Sequence, residues 1–228
     1  MARSAMATVR SLDRNPVTDP EASRLPADAG ASPTARRLLL AALDLFAARG
    51  YHGTSIRDVA GLAGAKSATL YSHFASKEDI LASLVFLGHD LHHRRLLAAL
   101  VEAGPDPRQQ LASMMRAHVE VHCRYTELAV VATRERHHLS AGALAPAAAL
   151  RRSSEELVYD VVDRGVRQGV FHVPDFEATL VAIGSMGIAV ADWYPGRADR
   201  LTPEEVGAAY SRIALRMLGA DGYEGGAS

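Results

Sequence analysis

Ser67, Ala68, Thr69, Tyr71, Ser72 and His73 gather small, hydroxylated and imidazole side chains into one short stretch without an acid, with Lys66 before it and Lys77 shortly after. Such groups donate and accept hydrogen bonds at short reach, and nothing among them repels a polyanion. A second set combines polar tips with adaptable apolar bodies: Met114, Met115, His118, His122, Tyr125, Arg134, His137, His138, Tyr159 and Trp193. Side chains of these types can line a small-molecule cavity, and they also serve as ordinary core. His118 and His122 stand four apart, a spacing that can place two imidazoles on one metal ion, with Cys123 adjacent. A further pair of ligands is not visible, so no metal is expected. His92 and His93 are side by side and would face different directions on a helix.

The first set needs a rigid support, and residues 54–77 supply one. Thr54 and Ser55 can cap a helix whose inner face is Ile56, Val59 and Ala60, with Asp58 suited to its positive end. Ala63-Gly64-Ala65 offers small residues where two helices cross, and Gly64 can take positive φ. A second helix is predicted from Lys66 to Phe74. Leu70 and Phe74 face inward at helical spacing and leave the polar set outside. Two short helices crossed in this way form a device that can enter a DNA major groove.

The run from Arg37 to Leu81 resembles the N-terminal domain of TetR-family transcriptional regulators. The likeness is carried by Leu38, Ala41, Ala42 and Phe46, then Gly50, Thr54, Ile56, Val59-Ala60, Ala63-Gly64, Leu70-Tyr71, His73-Phe74 and Ser76-Lys77-Glu78. One departure stands at Ala65 and Lys66, where the family often has a branched apolar residue and then serine. Lysine offers no capping acceptor, so Ser67 is the expected cap. The resemblance implies a sequence-specific regulator, acting as a homodimer on a near-palindromic double-stranded DNA operator and released as a repressor by a small-molecule effector. Within the DNA-reading unit the expected phosphate contacts are Thr54, Ser55, Lys66, Tyr71, His73 and Lys77, and Ser67, Ala68, Thr69 and Ser72 are expected at bases or the groove wall.

The resemblance also implies a ligand cavity among helices within residues 87–170, for which Met114, His118, His122, Arg134, His137, Tyr159 and Trp193 are the candidate lining. Arg134 and Arg136 are the cations considered for an anionic ligand. The last two helices would pack on their copies as a four-helix dimer interface. Small residues Ala182, Gly184, Gly187 and Ala191 fit a close helix approach there. The run Asp192-Trp193-Tyr194-Pro195-Gly196 with Leu201-Thr202-Pro203-Glu204-Glu205 is similar to a subgroup that answers acyl-coenzyme A, and other lipophilic metabolites are equally in view.

Composition supports the same division. The chain has 228 residues and a formal net charge of −1. Residues 33–77 hold six basic and two acidic side chains, a local excess of four positive charges on a neutral or acidic body. Apolar residues recur at helical spacing and none alternate convincingly, predicting an all-α fold of about nine helices. Expected segments are 34–49, 54–62, 66–74, 76–101, 107–124, 126–139, 146–168, 175–194 and 203–219. Thr34 is the expected first cap, and Ser76 and Thr202 open capping boxes. Three regions follow: a flexible tail over 1–32, a DNA-binding domain over 33–80, and a ligand-binding and dimerisation domain over 81–228. A lone Cys123 and no signal-like N-terminal segment suggest a cytoplasmic protein, and no membrane span is expected. No phosphate loop, nucleophile elbow or metalloprotease motif points to an enzyme, and no cofactor is expected. The alternative is a helical enzyme or ligand-binding protein that keeps the three-helix unit only for interaction.

Overall fold

The computed structural model describes residues 24–220, which are helical with no strand among them. Ten α-helical segments follow in order: α1 (Pro33–Arg49), α2 (Ile56–Leu62), α3 (Ser67–Tyr71), α4 (Lys77–Glu102), α5 (Pro107–Arg124), α6 (Thr126–Arg134), α7 (Ala141–Arg167), α8 (Phe176–Ile188), α9 (Val190–Trp193) and α10 (Pro203–Met217). The eighth and ninth are one helix interrupted at Ala189, so the expectation of about nine holds.

Local chemistry explains most boundaries. Gly50 ends α1 at φ 71°, and Gly64 turns the chain between α2 and α3 at φ 64°. Both are conformations that a Cβ disfavours. The Thr202 and Glu205 box opens α10 as expected, and a second box pairs Ser55 with Asp58. Other ends differ. Ser32, not Thr34, caps α1 by accepting from Ala35 N–H. Ser67 is the first residue of α3 rather than its cap, and the N-cap Lys66 contributes no side-chain bond. Ser76 accepts from Asp79 N–H, but Asp79 reaches Ala75 N–H and so leaves the reciprocal bond unmade. The expected 126–139 segment breaks at Glu135 into α6 and a 3₁₀ turn, Arg136–His138. Helix α7 begins at Ala141, capped by Ser140, and runs through Pro146. Pro146 lies close enough to the start that only one backbone bond is lost.

Residues 1–23 of the expected tail lie outside the described residues, and residues 24–32 are packed. Leu25 and Ala29 are buried in the core of α1 and α4, and Arg24 bridges Asp44 on α1 and Glu127 on α6. That core continues through Leu38, Phe46, Val59, Leu70, Phe74 and Leu84. A second core joins α5, α7, α8 and α10 through Met115, Val119, Val162, Ile183 and Leu215. Helix α4 runs through both. Gly207 on α10 lets that helix approach the Arg116 backbone on α5, where an added Cβ would sit 3.3 Å from Arg116 Cα.

The stretch Phe176–Arg197 is long and apolar enough, by length and mean hydropathy of 1.3, to cross a membrane, although it carries Glu177 and Asp192. Only 22% of its apolar window is buried. Its buried Ile183, Gly187 and Val190 face the second core. Val181, Ile188 and, on α10, Ile213 and Met217 remain exposed.

The Phe171 ring packs against Gly165, where any Cβ would collide with it. Gly165→Ala is expected to lower stability by about 1–3 kcal/mol, read as a reduced midpoint in urea. An unchanged midpoint would contradict this packing.

Candidate nucleic-acid interface and effector cavity

Helices α2 and α3 hold Leu70 and Phe74 inside and turn the polar set outward. Lys66, Ala68, Tyr71, Ser72 and His73 are exposed, and Ser67 and Thr69 are half-buried. Ser55 is exposed, although its hydroxyl and N–H are engaged by Asp58. These bonds, with the nearby Arg49 guanidinium adding to them, hold the Asp58 carboxyl below its usual range.

Two predicted phosphate contacts sit elsewhere. Thr54 is 2% exposed, and its hydroxyl donates to the carbonyls of Leu45 and Gly50 at 3.3 and 3.1 Å. Its hydroxyl therefore closes the α1–α2 corner instead of facing DNA. Lys77 donates from Nζ to Tyr51 O and Thr54 O, both at 2.9 Å, with its ammonium 4.0 Å from the Tyr51 ring centroid. The ammonium satisfies carbonyls that the corner leaves without helical partners, a structural use of the charge.

The same corner meets the body. Glu135, just after α6, accepts from Tyr51 N–H at 2.8 Å, and His138 stacks on Tyr51 with centroids 5.4 Å apart. His52 and His137 pack edge-on and tilted against His138. Glu78 at the start of α4 accepts from Ser140 N–H at 2.7 Å, so the body grips the reading unit twice.

Within the body, α4, α5, α6, α7 and α8 enclose a cavity of about 640 Å³, a size suited to a small molecule. Met114, His118, His122 and Tyr159 line it, as do Met115 and Tyr125. Arg134, His137 and Trp193 do not. Arg134 is exposed and paired with Asp192 at 2.6 Å. His137 is exposed beside His138, and Trp193 stacks on Tyr210 with Arg197 over its ring. Sequence reasoning missed His89, His92, Arg151 and Arg152, which the structure places on the lining. A heptad-like spacing of His89, His92 and Leu96 on the long α4 is the signal that could have found the two histidines.

Three imidazoles form the floor. His92 Nε2 is 2.6 Å from His118 Nδ1, His118 Nε2 is 3.1 Å from Gly184 O, and His122 Nδ1 is 2.7 Å from His118 O. Gly187 makes room for the His118 ring, which a Cβ would strike. That close approach explains the small residue more directly than a dimer contact. Among the described residues, no group of three or more His, Cys, Asp or Glu is arranged to hold a metal ion. Cys123 is buried, and burial pushes its thiol up to about 12. Arg151 pairs with Glu155 at 2.8 Å, and Arg152 has no ion-pair partner among the described residues.

Burial disfavours charge on the floor. His118 falls to about 3 and His89 to about 4, both chiefly by desolvation, with Arg151 adding to the effect on His89. His92 and His122 are lowered for the same leading reason. An unfolded chain, with histidines near their usual pKa of about 6.5, binds more protons than the folded one between that value and about 3–4. Stability therefore rises with pH through this window and is lost on acidification. Each such histidine contributes up to about 1.4 kcal/mol per pH unit there. The melting temperature is expected to fall steeply from pH 7 to pH 5 and to fall less in His89→Asn; equal falls would contradict the buried neutral state of His89.

Family comparison agrees with this division of labour. Residues 38–84 match the model of bacterial regulatory proteins of the tetR family, and residues 104–218 match the tetracyclin repressor-like C-terminal domain. The HTH-type transcriptional repressor KstR2 of Mycobacterium tuberculosis is 30% identical over 191 residues, covering 81% of this chain and 92% of that protein. A tetR-family regulatory protein from Rhodococcus RHA1 superposes with a TM-score of 0.77 at 32% identity, over 82% of this chain and 97% of its own. AibR, solved in complex with isovaleryl coenzyme A and operator DNA, shares the fold with a TM-score of 0.70 at 22% identity, over 80% of this chain and 97% of its own. With both regions matched and a repressor related along most of its length, the chain belongs to the TetR family and is a DNA-binding transcriptional repressor.

Proposed function

We propose that the protein is a ligand-released repressor that acts as a homodimer on a near-palindromic operator and answers a lipophilic metabolite held in the cavity. The observation that carries this reading is helix α6: its Leu128, Ala129 and Ala132 wall the cavity, and Glu135 at its end holds Tyr51 N–H of the reading unit. Helix α4 meets α6 closely, since a Cβ on Gly88 would come within 2.9 Å of Ala132 Cβ. An effector that favours one spacing of α4 and α6 shifts the population toward the orientation of α2 and α3 that goes with it. An effector indifferent to that spacing would shift nothing.

Lys66, Tyr71 and His73 are the side chains proposed to meet phosphates, with Ser55 beside them, and Ser67, Ala68, Thr69 and Ser72 to meet bases or the groove wall. Thr54 and Lys77 stand outside that set, since the Thr54 hydroxyl and the Lys77 ammonium are engaged by carbonyls at the corner. The exposed apolar side chains of α8 and α10, Val181, Ile188, Ile213 and Met217, support a dimer in which both helices meet their copies. A dimer would set two recognition helices about one DNA turn apart, roughly 34–36 Å. The apolar cavity supports a lipophilic effector. A coenzyme A thioester is one form, since the fold carries such a ligand in AibR, and Arg152 at the rim offers a cation to its phosphates. Such a regulator works on chromosomal DNA in the cytoplasm.

Purified protein is expected to form specific, salt-sensitive complexes with the DNA upstream of its own gene in a mobility shift. Absence of any specific complex would favour the helical ligand-binding alternative. In the same assay Lys66→Ala should reduce the slope of log affinity against log salt by about one. Lys77→Met should leave that slope unchanged and lower the melting temperature instead; a reduced slope would return Lys77 to the phosphates. Glu135→Gln should weaken the release of DNA by effector more than it weakens effector binding itself, read as a smaller ratio of effector affinities with and without DNA. An unaltered ratio would remove Glu135 from the coupling.

A further inference from the structure

The hydrogen bonds of the cavity floor decide which nitrogen of each buried histidine carries its proton. Backbone carbonyl oxygens only accept. His118 Nε2 faces Gly184 O, and His122 Nδ1 faces His118 O, so each of these nitrogens bears a hydrogen. Burial keeps both rings neutral, with one N–H apiece. His118 Nδ1 is then a bare lone pair, and His92 Nε2 must donate to it. His92, also neutral, is left with a bare Nδ1, and His122 with a bare Nε2.

Neither bare nitrogen has a hydrogen-bond partner among the described residues. Nor is either sealed: among those residues, the side-chain polar atoms both shut from solvent and unpartnered belong to Arg94. The two nitrogens therefore open onto the space that their rings line, and the ring centroids of His92 and His122 are 5.8 Å apart. Nearby Ser154 adds no donor, because its hydroxyl is given to Leu150 O and receives His93 Nδ1–H. The arginines and Tyr159 on the lining belong to exposed positions of α7, Thr133 and Ser185 to exposed positions of α6 and α8, and Tyr125 and the neutral His89, which faces the cavity from another position on α4, can each act either way.

We propose that the effector of this cavity is an alcohol: an apolar body whose hydroxyl donates to His92 Nδ1 or His122 Nε2. The proposal rests on the reading of the cavity as the effector site. A ketone, ether or ester oxygen in the same place would set lone pair against lone pair, leaving the buried nitrogen unsatisfied. The rings cannot adapt by moving their protons. Switching His122 would turn its Nδ1 lone pair on His118 O, and switching His118 would do the same at Gly184 O.

Two measurements test this. NMR of protein labelled at the histidine ring nitrogens reads the tautomers without any ligand, and the expected pattern is Nε2–H for His92 and His118 with Nδ1–H for His122. A His122 carrying Nε2–H, or a charged ring at neutral pH, would overturn the proposal. Calorimetry then compares decanol, decyl methyl ether and methyl octyl ketone. Decanol should bind at least about tenfold more tightly than either, and His122→Phe should narrow that preference. Equal or tighter binding of the ketone overturns the donor preference alone. Uptake of none of the three contradicts the effector-cavity reading and the proposal with it.

Discussion

Two carboxylates, Glu135 and Glu78, join the DNA-reading unit to the body, and Glu135 does so at the corner that orients the reading helices. Glu135 accepts the Tyr51 N–H at the point where the first helix has ended and the second has not begun. A corner of that kind leaves backbone groups without helical partners, and here several are met by side chains, from the corner itself and from other elements. Lys77 takes two carbonyls, Thr54 takes two more, and Glu135 takes the amide. The reading helices are thus fixed by bonds whose far ends lie on the long helix α4 and at the end of α6. A change in either helix has a direct route to the corner.

The same two helices also wall the cavity of the body. Small residues bring α4 against α6 at Gly88 and Ala132, and bring α8 over α5 at Gly187 and His118. Around the cavity the walls are largely apolar, while charge is confined to exposed positions of α7 and to exposed Glu177 on α8, and the floor is kept neutral by burial. An apolar enclosure with a few fixed hydrogen-bonding groups recognises shape first and one polar atom second. In the proposed function, the placement of that enclosure beside the elements that hold the corner is what links its occupancy to DNA.

Features that depend on neighbours along one helix were legible in the sequence. Gly64, the inward Leu70 and Phe74, and the Thr202 and Glu205 box each act within a turn or two of their own position. Roles set by distant residues were not. Lys77 looked like a phosphate contact because its carbonyl partners lie 26 and 23 residues away. His92 looked unremarkable as one of an adjacent pair, yet its partner His118 is 26 residues further on. Arg134 and Trp193 had the right chemistry for a cavity but point to Asp192 and Tyr210 instead. Residue type shows what a side chain can do, and only the crossing of helices decides which way it faces.

In the proposed function, effector binding changes the separation of the paired reading units. Spin labels on Ala75→Cys, an exposed site just past α3, report that separation directly, and buried Cys123, with its thiol pushed up to about 12, does not compete for the label. Without effector the account predicts a single distance population, and with an effector that releases DNA a population displaced from it. A distribution left unchanged by such an effector, or the absence of any paired-label signal, would contradict the account.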